Sequence, residues 1–474
     1  MLDYFTSWEV EHAGNDTNGG CFIIGSTGTD HSQQAAAFTA FTDLVAATTT
    51  TITSVAHPFS ATDVGNCIHI ASGTGWTVGW YYVVSVSVVT ATVDRAIATI
   101  SSTGGTGSLG GALATVDQVT SVNMQLSIAP QVWVKSDAIY SISSMITIDS
   151  GGVNQGIATV AGYTTSRGDN GQATLQANVT LSGANVWIAR FNGTPSGTVM
   201  SNFILDCNSQ PFTGAFLFFA NFDTLRNILA KDCSNDGFEF ANAGTCDRCV
   251  TTNVPKAGLA TDGRLAAFDC FNVGCYCISC QALGSTTNGA WAFKQWCGGV
   301  LINSVAANFS GTTTNAVTCQ TQQSDQLFID GLSIYGFTQD GIQFNESNAI
   351  DMRPLLIRNV LISNVGRYCL YQAGSTVFRA PMLISDHVGC NTTGITAFYN
   401  AWPVGAGDVT LSASPFTNAV GNDFSLNATA GGGAAAKAAG FPGALTAGTG
   451  NIDLGALQSA AGASGAQTVS GYAQ

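Results

Sequence analysis

A pair of carboxylates is the simplest machinery a polypeptide has for cutting a sugar polymer. Glycoside hydrolysis needs two carboxyl groups roughly 5 to 9 Å apart, one donating a proton and one attacking or activating water. Asp206 and Asp232 lie 26 residues apart in the related strings "LDC" and "KDC", and Asp236 and Glu239 stand three apart. These four are the catalytic candidates, with Asp325, Asp330, Asp340 and Glu346 forming a later group. The competing reading is structural, since an Asp at a strand end bonds turn amides and needs no substrate. A working acid also needs a raised pKa or a placed water.

Cysteines are the second group. The string "CFNVGCYCISC" puts four of the 14 cysteines into eleven positions, and "CDRC" (Cys246, Cys249) precedes Cys275, Cys277 and Cys280 by a similar interval. Paired CxxC elements suggest tetrahedral zinc. Along a strand, however, residues i and i+3 face opposite sides, so a CxxC chelates only from a turn. Buried cysteine otherwise behaves as a small hydrophobe. Cys207 and Cys233, 26 apart, fit such a packing ladder directly. Core packing is the preferred reading, with disulfide and metal as the alternatives.

Other chemistry finds little support. The five histidines (12, 31, 57, 69, 387) show no HxH or HExxH spacing. No serine sits in a GxSxG elbow, and "GGTGSLGG" lacks the lysine of a P-loop. No cofactor and no metal are expected. Trp187, Trp291, Trp296, Trp402 and Tyr335 could stack on carbohydrate, although interior stacking is the more frequent fate of aromatic rings.

The elements that must position these residues repeat. Short apolar strands after a small residue recur as "GAFLFF" from 214, "GFEF" from 237, "LAAFDC" from 265, "GAWAF" from 289, "NAVTC" from 315, "DGIQF" from 340, "GRYCL" from 366 and "GITAF" from 394. Successive offsets run from 23 to 28 residues, and a second strand such as "GVLINSVAAN" or "LLIRNVLISNVG" follows within most repeats. Strands at that period with no helix between them predict the coils of a parallel β-helix, each burying its inner face on its neighbours. Asn202, Asn227, Asn303 and Asn359 recur near the bends, where Asn adopts the left-handed conformation.

The fold class is therefore all-β: a right-handed parallel β-helix over residues 118–400, an N-terminal β-rich domain over 1–117, and a C-terminal β cap with an Ala/Gly-rich tail over 401–474. One short helix is expected at "SQQAAAFTAFTDLVA". Composition agrees, with 9% charged and 45% hydrophobic residues, 26 Phe and 55 Gly. So little charge argues against solvent-exposed helices, and so much apolar content argues against disorder.

A formal net charge of −14 without a local Lys/Arg cluster argues against nucleic acid and anionic membrane as partners. The opening "MLDYFTSWEVEHAGNDTNGG" has neither a basic nor an apolar signal region, and no later segment reads as a membrane span. Synthesis in a reducing cytosol is expected, with the cysteines as thiols while the fold forms.

The strings "WEVEHAGNDTNGGCF", "HPFSATDVGNCIHIASGTGWTVGWYYVVSV" and "GGTGSLGGALAT" resemble a module of β-helical proteins encoded by tailed phages. "NDFSLNATAGGGAAAKAAGFPGAL" with "IDLGALQ" resembles the closing segment of bacterial and phage β-helix proteins. The resemblance implies a structural protein on the virion surface: capsid decoration, head fibre or tailspike, commonly a homotrimer, attached to capsid or tail proteins through its N-terminal domain. Contact with host-surface glycan is consistent with that role. The alternative is a tailspike polysaccharide depolymerase, hydrolase or lyase, using the acids named above. A bacterial adhesin is disfavoured by the missing signal.

Overall fold

A chain rich in Thr, Val, Ile and Phe, broken by Gly and Asn, has residues that suit pleated surfaces and residues that suit tight bends, and little to hold a helix. The computed structural model is accordingly all-β, its one short α-helix being Gly433–Ala436 among the described residues. Those residues are 6–10, 21–23, 39–64, 67–109, 131–143, 145–149, 159–179, 181, 186–192, 197–211, 213–218, 223–256, 265–270, 274–295, 299–321, 327–346, 355–373, 383–391, 396–398, 408–437 and 439. Two compact units divide the chain: Met1–Gln176 with Phe191–Ile204, and Ala177–Arg190 with Leu205–Gln474.

In the first unit six antiparallel strands close a small barrel, ordered Thr39–Ala46, Thr51–Thr53, Thr90–Val93, Gly79–Ser87, Cys67–Ser72 and Gly105–Leu109. Phe41, Leu44, Ile52, Phe59, Ile68, Ile70, Trp76 and Tyr81 fill it. The expected helix over 32–46 is corrected here: residues 39–46 form a strand paired with Gly105–Leu109, and 32–38 lie outside the described residues. The register shifts between Phe41 and Leu44. Such a bulge turns residues i and i+3 to the same face, which imitates helical spacing in the sequence. Gly105 is fixed by packing, because a Cβ there would stand 2.4 Å from the Trp76 ring.

Parallel stacking also begins in this unit. Thr6–Val10 runs parallel to Gln131–Lys135, which runs parallel to Thr159–Tyr163. The amino-terminal strand thus belongs to the parallel sheet and not to the barrel.

The second unit is a parallel β-helix. Its longer strands, from Asp223–Lys231 through Val300–Phe309, Leu327–Phe337 and Leu355–Val365 to Leu383–Asn391, stack in register. Phe238–Phe240, Ala266–Cys270, Trp291–Gln295, Asn315–Thr321, Ile342–Glu346 and Tyr368–Ala373 form a second parallel stack.

Two columns of left-handed residues bend the longer strands. One runs Asn227, Arg248, Ser279, Asn303, Gly331, Asn359, with φ from 48° to 71°. The other runs Asp232, Asn253, Gly284, Asn308, Gly336, Asn364, with φ from 53° to 75°. Asn202 has φ 62°, so all four asparagines read as bend residues take the left-handed conformation. Asn does this at less cost than other non-glycine residues, which explains its recurrence.

Inside, Leu225, Cys246, Cys277, Leu301, Ile329 and Ile357 form one column of register partners. Phenyl rings form another: Phe238 on Phe268 at 5.0 Å, and Phe268 on Phe293 at 4.9 Å. The chain from Val409 onward lays Leu411, Phe416, Phe424 and Ala436 against Val305, Ala307 and Leu361 of the longer strands.

The cysteine reading is partly corrected. Cys270 is bonded to Cys275 and Cys369 to Cys390, with Cα–Cα distances of 6.0 and 6.2 Å. In a coil of this kind, inward side chains from successive strands converge, so disulfide geometry is within reach of the register itself. Cys207, Cys233, Cys246, Cys249, Cys277 and Cys280 are buried thiols. Arg248 and Ser279 stand at the bend between each CxxC pair, so both cysteines of each pair are buried.

Candidate functional site

Two of the four candidate acids hold turns. Asp206 accepts from the Asn208 amide at 2.8 Å and pairs with Lys231 at 3.0 Å. Asp232 is itself a left-handed bend residue, accepting from Asn253 Nδ2 at 2.6 Å and lying 3.4 Å from Lys256 Nζ. Their 26-residue spacing reflects recurring bends.

Asp236 and Glu239 are brought into one electrostatic cluster, together with Asp269 and Lys294. Glu239 is the register partner of Asp269, and Asp269 of Lys294. They alternate with the stacked Phe238, Phe268 and Phe293 and so lie on the other side of that sheet. Lys294 Nζ stands 2.8 Å from Asp269 Oδ2, with side-chain exposures of 7% and 0%. Asp236 accepts from the Ala266 amide at 2.7 Å, while its Oδ2 is buried with no partner. Burial, then Asp269, then Glu239 hold the Asp236 carboxyl well above the usual carboxylate range. Burial and the two neighbouring carboxyl groups therefore favour the protonated form of Asp236.

Sequence reasoning found Asp236 and Glu239 but missed Asp269 and Lys294. The signal was present: aligned at the small residue, "GFEF", "AFDC" and "AFKQ" place Glu239, Asp269 and Lys294 at one position of successive coils. Of the later acids, Asp330 is held by Arg358 and Asn359, and Asp340 by Arg367. Asp325 lies outside the described residues.

Burial pushes Cys246 up to about 11 and holds Cys249 higher than an ordinary thiol, while at Cys280 burial is outweighed by hydrogen bonds with the Cys249 and Cys277 thiols, which bring it down to about 5. All six free thiols among the described residues are buried, out of reach of a substrate. Among the described residues no group of three or more His, Cys, Asp or Glu could hold a metal ion.

The second candidate is a cleft of about 780 Å³ along the bend column that contains Asn308, Gly336 and Asn364. Val420 and Asn422 form its opposite wall. Asn308 Nδ2 donates to the Ala419 carbonyl at 3.1 Å and to Asn422 Oδ1 at 2.8 Å, tying the wall to the coil. Tyr335 lines the cleft, half-buried, its ring at 81° to Phe416. Ser310 and Thr338 add hydroxyls, and no Asp, Glu, Lys, Arg or His is among the described residues that line it. Of the other aromatics, Trp187 is buried and Trp291 half-buried, while Trp296 and Trp402 lie outside the described residues. Side-chain amides, hydroxyls and an aromatic face are groups that hydrogen-bond and stack on a polyhydroxylated ring.

Among solved structures the chain is similar to the pectate lyase Pel9A, at 14% identity and a TM-score of 0.46, over 73% of this chain and 91% of that one. It is similar to the catalytic domain of a GH87 alpha-1,3-glucanase in complex with nigerose, at 12% identity and TM-score 0.32, over 80% and 90%. A third similarity is to the tailspike of Acinetobacter baumannii bacteriophage AP22 in complex with capsular saccharide, at 8% identity and TM-score 0.24, over 74% and 66%. No family model and no curated protein sequence matches the chain. The parallel β-helix assignment stands on the strand register itself.

Proposed function

We propose that this chain is a surface subunit of a tailed-phage particle that binds glycans through the cleft beside Tyr335. The carrying observation is the lining of that cleft: amides, hydroxyls and one aromatic ring, without a charged side chain among the described residues. In this reading the protein is a homotrimer on the virion surface, held to capsid or tail proteins through the N-terminal domain over residues 1–117. Exposed apolar side chains on the barrel, Val55, Val78, Val84, Val88 and Ile100, support a docking role for that region. The β-helix supplies a stiff support, since each coil is hydrogen-bonded to the next. Calorimetric titration with host-surface oligosaccharides tests the binding role. Saturable binding lost in Tyr335→Ala is expected, and undiminished binding in that variant would remove the cleft from the proposal.

A second reading, glycan cleavage, is favoured by one feature: burial, Asp269 and Glu239 raise the pKa of the Asp236 carboxyl, as a general acid requires. Against it, all three acids are 5% exposed or less, so a polymer does not reach them as the chain is folded. Oligosaccharides released from host polysaccharide by the wild type and not by Asp236→Asn would establish this reading over pure binding.

A further inference from the structure

The charge distribution around the cleft narrows what it accepts. We infer that its ligand is a neutral saccharide, with rings carrying hydroxyl or acetamido groups and no carboxylate or sulfate; this rests on the glycan-binding reading above.

An anionic sugar entering the cleft surrenders water around its carboxylate, a loss that only a cation or several convergent N–H donors recover. The described lining offers no cation. The nearest cations along the chain are already engaged. Arg367, next to the lining residue Gly366, is held by the buried carboxylate of Asp340 through both Nε and a terminal nitrogen. Lys256, four residues beyond Thr252, is held between Ser209 and Asp232. On the opposite wall, the neighbour of Asn422 is Asp423, an exposed acid. An anionic ring would therefore find no counter-charge in the described lining, on a chain whose net charge is already −14.

Neutral rings meet a better match. The side chain of Asn364 is exposed at the bend, where it can donate and accept. Val420, exposed on the opposite wall, adds apolar surface suited to the C–H face of a pyranose or the methyl of an acetamido group. Because the recognition contains no ion pair, its affinity is expected to be insensitive to salt.

The test is a microarray of bacterial surface glycans bearing neutral repeats, acidic repeats, and the same acidic repeats after carboxyl reduction, probed with the full-length protein. Hits are followed by calorimetry at low and physiological ionic strength. Expected are hits among the neutral and carboxyl-reduced glycans, at least tenfold tighter than their acidic counterparts and unchanged by salt. Both Tyr335→Ala and Asn364→Ala should weaken them tenfold or more, with Tyr335→Phe retaining binding as a check on the fold. Preferential, salt-sensitive binding of the acidic glycans, abolished by the same substitutions, overturns the neutral-ligand inference and leaves the glycan-binding role intact. If the array stays empty for all three sets, the glycan-binding role falls and the inference with it.

Discussion

Replacing Lys294 by Met removes an ammonium while keeping a side chain of similar length and volume. Packing is then nearly conserved, and the change isolates the charge. In the wild type Lys294 Nζ lies 2.8 Å from Asp269 Oδ2, with 7% and 0% of the two side chains exposed. Glu239 is the register neighbour of Asp269, and Asp236 contributes to the same field. Removing this ammonium takes away the counter-charge that stands 2.8 Å from the buried Asp269 carboxylate. Breaking a buried pair in this way costs about 3–5 kcal/mol, whereas an exposed pair contributes about 0–1 kcal/mol. The two cases are far enough apart to be told apart by urea unfolding. Asp269→Asn in the Lys294→Met background should recover most of the loss, because the double variant holds no uncompensated charge. A loss under about 1 kcal/mol, or no recovery in the double variant, would show that water screens this pair and that the cluster is not the low-dielectric site described above.

Three further outcomes are expected. The folded-state pKa of Asp236 is raised, so native protein binds the proton more tightly than unfolded chain, and its contribution is fully present below the unfolded value of about 4 and lost as pH rises toward the folded value. Asp236→Asn should remove this loss, up to about 1.4 kcal/mol per pH unit across that window; urea midpoints measured from pH 4 to 9 check it, and parallel wild-type and variant curves would contradict it. The Cys369–Cys390 and Cys270–Cys275 bonds span 21 and 5 residues. By loop-closure entropy, removing the first by double Ala substitution should cost about 3 kcal/mol and removing the second about 2 kcal/mol, as read by denaturant titration. Gly105→Ala drives a methyl into the Trp76 ring and should destabilise the barrel by about 1–3 kcal/mol, visible as an earlier transition in Trp fluorescence.

The coil period was legible because stacking forces similar residues to similar positions: "GFEF", "AFDC" and "AFKQ" align by eye. The bends were legible for the same reason, since Asn is the non-glycine residue that most readily turns left-handed. What stayed hidden was whatever depended on contacts between coils. Whether Cys369 meets Cys390 depends on the facing of two strands, not on a spacing rule. The roles of Asp206 and Asp232 depended on a neighbouring lysine and asparagine that no period announces. Asp269 and Lys294 escape a template built on pairs of acids, because a cation completing such a group lies outside it. The bulge near Phe41 misled for the opposite reason, supplying helical spacing without a helix. The cleft is formed by segments more than 100 residues apart, such as Asn308 and Asn422, and no local pattern marks it.

The two bend columns restrict how such a chain can change length. Each left-handed residue reverses the facing of the strand after it, so adding or losing a single residue between bends would turn every inward side chain of that segment outward. A whole repeat, by contrast, carries its own bends and its own inward set, and can be duplicated or excised while its neighbours meet equivalent partners. Lengthening by complete repeats is therefore the permitted route to a variant of different height, and the bend residues mark where to cut.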